Sequence, residues 1–573
     1  MDLLRQEATT FNSDDLLQSL AKANYMLIGG ESMNNPNELA ILRTMGDDPV
    51  FLRIESFWRH RVRERLIIRH ELLALMVENL WLPNNKSGQL VMDSLPQFRK
   101  CILRMSGFLE KASEGKQPQT KEEETKFMRG SFFRNAYLNA THDFGYLLGR
   151  YYSIFFEHLP RCMKAYPGEA YDFVSKFEEL KNVNLKVFMV IVFGIWGHYS
   201  KQGLPDKLNW LKDPAVFLIN RVLDQIRDEK KEESRRVFDL ISNTREGFRH
   251  ELEQLGSLAS SQPNYYLLDP IWRKPFYKIA DEAYFPLDMA FLQEKMTSGV
   301  KWVVHDGIAE KVRTATTTEE RENLTRERHR LMAFYGRTLE SYVGGLIERT
   351  FGDRQRYVVL RDPETAGVDF IVYDRRSPTR LILLEVTASS VRYKQAMSGD
   401  WDAILTEIGK IFFRPDDPGA KGKIQQFEDS ITLFRFGKLA RLREFAEQIK
   451  EIYPVLVFET CLPTFGLLAE YKRLITERGL LRDCIGNLQF LDLEELEALE
   501  PLVRERDDPL CDLLCTKVTT QWFESPMKNF LMFNRLWMKN RVLGELFKPI
   551  LEDARAIFKL DEAPKVAEES KIS

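Results

Sequence analysis

The spacing of hydrophobic and polar positions changes near residue 325 of this chain. Up to that point apolar residues recur about every three to four positions, which is the period of amphipathic helices that share a core. Beyond it, short apolar runs bounded by turn-forming residues predict strands between helices. The helical patterns before the boundary cover 50–80, 131–163, 168–200, 214–257 and 277–330.

After the boundary the predicted elements follow a definite order. A helix is followed by three strands, two helical stretches and a fourth strand, so the order is αβββαβ with helices packed on a small mixed sheet. The helices are predicted at 326–350, 395–413 and 422–449, and the strands at 356–361, 368–374, 381–388 and 453–460. Residues 466–560 have a helical pattern with one short strand at 487–493.

The length of 573 residues exceeds what one hydrophobic core can hold, so several domains are expected. We therefore predict an α+α/β chain that begins with a large all-helical region, which senses a trigger, mediates oligomerisation or binds a partner. The predicted parts are this helical region over 1–325, the αβββαβ domain over 326–465, a helical extension packed on that domain over 466–560, and a disordered tail over 561–573.

Charge and cysteine content narrow the class of protein. With 82 Lys and Arg against 85 Asp and Glu, the net charge of −3 excludes a uniformly basic nucleic-acid binder and leaves room for local basic patches. The N-terminus lacks the basic and apolar segments of a signal peptide, and the uncharged run at 187–200 is too short to cross a bilayer. Six scattered cysteines are typical of a reducing compartment. We expect a cytoplasmic protein with no membrane contact.

Three acids on three predicted elements form the most informative pattern. Glu340 lies on the predicted helix, Asp369 in the strand VDFIVYD and Glu385 in the strand LILLEVTAS. Acids inside apolar strands are costly unless something pairs with them. If the two strands are neighbours, Asp369 and Glu385 converge at one end of the sheet, and Glu340 borders the apolar stripe of its helix. A divalent cation such as Mg²⁺ is the usual partner for several carboxylates.

The arrangement Glu340, Asp369-x15-Glu385-x-Thr387 resembles the PD-(D/E)xK nuclease superfamily, within an αβββαβ order that this superfamily shares. The resemblance implies a restriction-endonuclease-like fold for the predicted domain and Mg²⁺ or Mn²⁺ as cofactor. It implies that Asp369 and Glu385 are metal ligands, that the carbonyl of Val386 is a further ligand and that Glu340 assists. It covers about a quarter of the chain, from about 325 to 462.

One position departs from the resemblance. The superfamily usually has a lysine two residues after the second acid, where this chain has Thr387. In some members the lysine comes from the following helix, and Lys423 opens such a helix here, with Gln426 one turn later. We expect Lys423 to take the catalytic role. Lys394, Lys410 and Lys421 are the alternatives, and without any such lysine the domain would be inactive.

Positive residues elsewhere are candidates for contact with nucleic-acid phosphates. Arg61, Arg65 and Arg69 lie at successive four-residue intervals and would form one row along a helix. The alternative is a solvent-exposed face whose arginines pair with nearby acids. Nearer the acids, the candidates for phosphate binding are Thr387, Lys394, Lys421 and Gln426, and further positive charge is available from Arg392 and Arg435.

These patterns favour a cytoplasmic, metal-dependent nuclease, with DNA preferred over RNA as substrate. Domains of this type fused to helical modules resemble prokaryotic anti-phage effectors, which implies oligomerisation or an activating protein partner. Two alternatives stay open. One is a catalytically inactive scaffold that keeps the nuclease-like fold, which Thr387 favours, and the other is a ribonuclease.

Overall fold

The computed structural model describes residues 12–28, 69–81, 84–88, 120–138, 144–201, 220–255, 268–281, 283–361, 367–414, 421–464, 466–520, 524–538 and 540–559. The chain divides into two compact units. Unit 1 comprises Met1–Gln119, Lys181–Met296 and Leu551–Ser573, and unit 2 comprises Thr120–Leu180 and Thr297–Ile550. The predicted tail over 561–573 lies outside the described residues, as do Arg61 and Arg65 and the side chain of Arg69.

Helices dominate both units. In chain order they are α1 Ser13–Ile28, α2 Arg69–Trp81, α3 Lys121–Leu138, α4 Phe144–Ser153, α5 Leu159–Ala165, α6 Phe173–Lys181, α7 Leu185–Lys201, α8 Asn220–Asp224, α9 Asp228–Ile241, α10 Arg245–Gln254, α11 Asp269–Arg273, α12 Met289–Lys295, α13 Gly299–Thr314, α14 Thr318–Thr350, α15 Tyr393–Ser398, α16 Trp401–Phe413, α17 Lys423–Arg435, α18 Leu468–Thr476, α19 Leu493–Glu505, α20 Leu510–Thr519, α21 Met527–Phe533, α22 Arg541–Glu545 and α23 Lys548–Ile557. One turn of π-helix, Ile154–His158, joins α4 to α5, and 3₁₀ turns occur at Ala440–Phe445 and Ile485–Asn487. No helix among the described residues is long and apolar enough to cross a membrane.

Unit 1 contains a small sheet, so the prediction that residues 1–325 are all helical is wrong. Strand β1 (Ser242–Asn243) pairs in parallel with β2 (Phe276–Ala280), and β2 pairs antiparallel with β3 (Ala283–Pro286). These strands have two to five residues each. Strands this short contain too few alternating apolar and polar positions to be distinguished from helix or loop by their periodicity.

Unit 2 is built on a five-stranded mixed sheet in sequential order. Strands β4 and β6 each pair antiparallel with β5, and β6, β7 and β8 run parallel to one another. The bounds are β4 Tyr357–Arg361, β5 Phe370–Asp374, β6 Arg380–Thr387, β7 Glu451–Phe458 and β8 Gln489–Asp492. These strands lie where the sequence pattern predicts them. The predicted helical extension therefore contributes β8 to the same sheet.

The two units do not follow the predicted boundary at 325. Helix α14 is continuous through that position, and its N-cap Thr317 accepts a hydrogen bond from the Glu320 amide at 3.2 Å through its hydroxyl oxygen. Residues 120–180 belong with the sheet of unit 2. The charged stretch at 317–330 is the exposed first part of one long helix, and it does not separate two domains.

Helix α17 is fixed to the entrance of β5 by the Ser430 hydroxyl. This hydroxyl accepts a hydrogen bond from the Val368 amide at 3.3 Å and donates one to the Gln426 carbonyl at 2.9 Å. Gly367 allows the close approach, because a Cβ there would lie 3.2 Å from the Cα of Gln426. The first turn of α17 is thereby held beside the residues that lead into β5.

His158 lies buried at the end of the π-helical turn, with its ring edge-on to Tyr342 and its Nδ1 3.1 Å from the Ser341 hydroxyl oxygen. Burial, together with the positive charges of Arg161, Arg349 and Arg361, lowers the pKa of His158 to about 4. The folded-state pKa lies below the usual value of 6.5, so this group's contribution to stability is present above pH 6.5. That contribution is lost as the pH falls toward 4.

We expect His158→Asn to flatten the acid branch of the stability curve. Asn keeps a polar side chain near the Ser341 hydroxyl but binds no proton between pH 6.5 and 4. The measurement is the melting temperature of both proteins at pH 7.5, 6.5, 5.5 and 4.5. If the melting temperatures of wild type and variant fall in parallel as the pH is lowered, His158 has the same pKa in the folded and unfolded chains, and the prediction is wrong.

Candidate active site

The sheet topology places both predicted strand acids at one edge of the sheet. Phe370 pairs with Leu384 in the antiparallel register, so Asp369, one residue earlier, lies beside Glu385, one residue later. The Asp369 amide donates a hydrogen bond to Glu385 Oε2 at 3.1 Å, and the Val386 amide donates one to Asp369 Oδ2 at 2.7 Å. Each carboxylate is thus oriented by the backbone beside the other acid.

Lys423, the first residue of α17, completes this arrangement. Its ammonium group forms an ion pair with Glu385 Oε1. The Glu385 side chain is 0% exposed and that of Lys423 is 15% exposed, so the pair is shielded from water. The predicted replacement for the missing motif lysine therefore reaches the second acid from the following helix.

The site is electrostatically short of positive charge. Burial and the negative charges of Asp369 and Glu340 raise the pKa of Glu385 to about 8, against the opposing effect of Lys423. Burial alone would lower the pKa of Lys423, but the charges of Glu385, Asp369 and Glu340 raise it above its ordinary value. Lys423 is therefore protonated, and its ammonium interacts with three acidic groups, of which Glu385 has a pKa of about 8.

Glu340 acts on this pair through its charge. It lies on α14 and interacts electrostatically with both Glu385 and Lys423. The described residues contain no group of three or more His, Cys, Asp and Glu side chains arranged to hold a metal ion. A cation at this edge would take two carboxylates, from Asp369 and Glu385, and water or substrate oxygens. This is how Mg²⁺ is commonly bound.

The other predicted phosphate contacts lie at varied positions. Thr387 is buried, and its hydroxyl oxygen accepts a hydrogen bond from the Ser389 amide at 3.1 Å, so it is not placed on the surface. Gln426 is partly buried, and its Oε1 has no hydrogen-bond partner among the described residues. Lys421 is exposed and pairs with Asp429. Lys394 is exposed on α15, with no ion pair to any residue that the structure describes.

The remaining basic candidates are engaged with acids away from Glu385. Arg392 and Lys410 both pair with Glu407, at 3.1 and 2.9 Å. Arg435 pairs with Asp483 at 2.8 Å. Of the four candidate lysines, Lys423 therefore reaches Glu385, whereas Lys410 pairs with Glu407.

A buried network that the sequence pattern did not reveal lies at the same edge of the sheet. Glu459 follows β7, and its amide donates to the Thr387 carbonyl at 3.0 Å. Its carboxylate forms an ion pair with Lys301 and accepts hydrogen bonds from the hydroxyls of Tyr151 and Tyr335. These side chains are buried, so the network fixes the chain immediately after the Glu385 strand to α4, α13 and α14.

Comparisons with protein-family models, with curated proteins and with solved structures found no match for this chain.

Proposed function

We propose that unit 2 is a metal-dependent nuclease that hydrolyses phosphodiester bonds at the sheet edge formed by Asp369, Glu385 and Lys423. One observation carries the proposal. The Glu385 carboxylate accepts a hydrogen bond from the Asp369 amide, the Asp369 carboxylate accepts one from the Val386 amide, and the ammonium group of Lys423 reaches Glu385 from the next helix. This set of groups resembles the catalytic set of the PD-(D/E)xK superfamily, with Lys423 in place of the motif lysine.

The donor set fits a divalent cation. Three carboxylates act on one ammonium, and the resulting repulsion contributes to the raised pKa of Glu385. Asp369 and Glu385 would hold Mg²⁺ or Mn²⁺. The carbonyl of Val386 is the predicted further ligand, and the amide of the same residue donates a hydrogen bond to Asp369. A bound ion of this kind activates water and stabilises charge on the phosphate and the leaving oxygen.

The chain's own residues have separable roles in this proposal. Lys423 stays protonated, so its ammonium can donate to a phosphate oxygen or orient the attacking water. The amides of Asp369 and Val386 keep the carboxylates in place before substrate arrives. Glu340 adds negative charge from α14.

The alternative of an inactive scaffold rests on Thr387, which occupies the position of the usual motif lysine. The ion pair between Lys423 and Glu385 supports the active alternative, because it supplies the missing ammonium from α17. DNA as the preferred substrate, a role in anti-phage defence, and assembly with itself or with an activating partner stay predictions. Cleavage of RNA is the second candidate activity, so both nucleic acids belong in the test.

We expect Asp369→Asn to lower cleavage by at least about a hundredfold, because it removes a charge from the site while leaving the fold intact. The assay is cleavage of supercoiled plasmid and of single-stranded RNA with Mg²⁺, with Mn²⁺ and with EDTA. Asp402→Asn is a matched control, since Asp402 is an exposed acid on α16 that pairs with Lys126. Equal cleavage by wild type and Asp369→Asn, or cleavage that persists in EDTA, would refute the proposal.

A further inference from the structure

The strand that carries Glu385 is held at its end by hydrogen bonds to two consecutive carbonyl groups. The Glu459 amide donates to the Thr387 carbonyl at 3.0 Å, and the Lys301 ammonium donates to the Ala388 carbonyl at 3.2 Å. The same ammonium forms an ion pair with the Glu459 carboxylate. Lys301 therefore joins the residue that follows β6 to the residue that follows β7.

The ion pair is buried, and both oxygens of its carboxylate are hydrogen-bonded. The side chains of Lys301 and Glu459 are 2% and 1% exposed. Glu459 Oε1 accepts hydrogen bonds from the hydroxyls of Tyr151 and Tyr335, and Oε2 binds the ammonium. The ammonium also lies 4.7 Å from the centre of the Tyr335 ring. Because Tyr335 is on α14, these contacts join the ends of β6 and β7 to the helix that carries Glu340.

Stability alone does not account for the choice of these residues. Well-packed apolar side chains of similar volume often stabilise a fold as well as a buried ion pair does, since taking two charges out of water is costly. Apolar side chains cannot hold a backbone carbonyl in one direction, whereas an ammonium group or an amide can. The two hydrogen bonds at Thr387 and Ala388 therefore orient the backbone at the end of β6.

The backbone groups next to Glu385 point to alternate sides of β6. In a strand, the amide and the carbonyl of one residue point to the same side, and those of the next residue point to the other side. The Val386 amide donates to Asp369, so the Val386 carbonyl points to that side as well. The Thr387 carbonyl points to β7, where the Glu459 amide binds it. Holding the end of β6 thereby fixes the direction of the Val386 carbonyl, the predicted metal ligand.

We propose that Lys301 is a positioning residue for the divalent cation of the proposed active site. It acts by holding the end of β6, so that the Glu385 carboxylate and the Val386 carbonyl keep a geometry that binds the ion. The inference rests on the proposed nuclease function and deepens it, because it assigns part of the metal affinity to a side chain that does not touch the metal. Residues that orient metal ligands in this way typically contribute about ten- to a hundredfold to metal affinity.

Mn²⁺ binding without nucleic acid tests this role separately from cleavage. EDTA-treated, dialysed protein is titrated with Mn²⁺ by isothermal calorimetry, at a temperature where circular dichroism shows each variant to be folded. We expect Lys301→Met to weaken Mn²⁺ binding by at least about tenfold. Arg356→Met is the matched control, because Arg356 is a similarly buried cation that pairs with Asp374 at the opposite end of β5. It should bind Mn²⁺ as wild type does.

A double variant separates positioning from stability. Lys301→Met leaves the buried Glu459 carboxylate without its counter-charge, which destabilises the fold. Adding Glu459→Gln removes that charge while keeping the shape of the side chain and an oxygen that accepts hydrogen bonds. We expect the double variant to resist urea better than Lys301→Met but to bind Mn²⁺ as weakly, because the bond to the Ala388 carbonyl is still absent. It replaces Lys301→Met in the test if the single variant does not fold.

The outcomes distinguish this inference from the proposed function. Wild-type Mn²⁺ affinity in Lys301→Met or in the double variant would overturn the role of Lys301 and leave the metal site standing. An equal loss of affinity in Arg356→Met would overturn it too, because lower stability would then explain the weaker binding. A wild-type protein that binds no Mn²⁺, or whose binding Asp369→Asn leaves unchanged, would refute the proposed metal site, and the role of Lys301 would fall with it.

Discussion

Replacing Lys423 by alanine is expected to lower phosphodiester cleavage by about two to three orders of magnitude, the size of effect seen when one charged or hydrogen-bonding group is removed from a transition state. The structure gives the reason. Lys423 is the ammonium group that reaches Glu385, and its raised pKa keeps it protonated. The measurement is the single-turnover cleavage rate at saturating protein, which separates the chemical step from substrate binding.

Two further variants test whether the effect is specific to the ammonium group of Lys423. Lys421→Ala removes an exposed lysine that pairs with Asp429, and it should keep most of the rate. In the Lys423→Ala background, Thr387→Lys restores an ammonium two residues after Glu385 on the same strand face. We expect this double variant to recover at least about tenfold of the lost rate. A Lys423→Ala protein as fast as wild type would show that another group serves the phosphate.

The acids of the site could be predicted from sequence because strand geometry is local. Asp369 and Glu385 interrupt apolar runs with a two-residue alternation, and neighbouring strands bring such residues to one edge. Lys423 was harder to select from among four lysines. Its reach depends on how α17 packs on the start of β5, which the contacts of Ser430 and Gly367 determine.

Contacts between residues that are distant in the sequence could not be predicted, because they produce no periodic pattern along the chain. Lys301 and Glu459 are separated by 158 positions, and each alone resembles an ordinary helix or loop residue. Arg361 could not be placed against Gly344 of α14 without the register of β4. The boundary near 325 was predicted from a change of period, but a continuous helix can carry both an exposed first half and a buried second half, as α14 does.

Replacing Arg150 by methionine is expected to destabilise unit 2 by about 3–5 kcal/mol, because it leaves a buried carboxylate without its counter-charge. Arg150 donates two hydrogen bonds of 2.6 Å to Glu497, and both side chains are 1% exposed. Tyr342 also donates to Glu497, at 2.7 Å, which joins α4, α14 and α19. A loss of this size is a large share of the stability of a typical domain, so lower soluble yield is also expected.

A control substitution at an exposed ion pair and a double variant test whether the unpaired charge of Glu497 causes the loss of stability. Lys126→Met removes a cation from an exposed pair with Asp402 and should change the free energy of unfolding little. Arg150→Met combined with Glu497→Gln removes both charges, and it should be more stable than Arg150→Met alone because no carboxylate is left buried without a partner. Urea denaturation of wild type, Lys126→Met, Arg150→Met, Glu497→Gln and the double variant gives the comparison. If the loss of unfolding free energy in the double variant equals the sum of the losses in the two single variants, lost packing explains the effect. The charge of Arg150 would then not be needed to stabilise the buried Glu497 carboxylate.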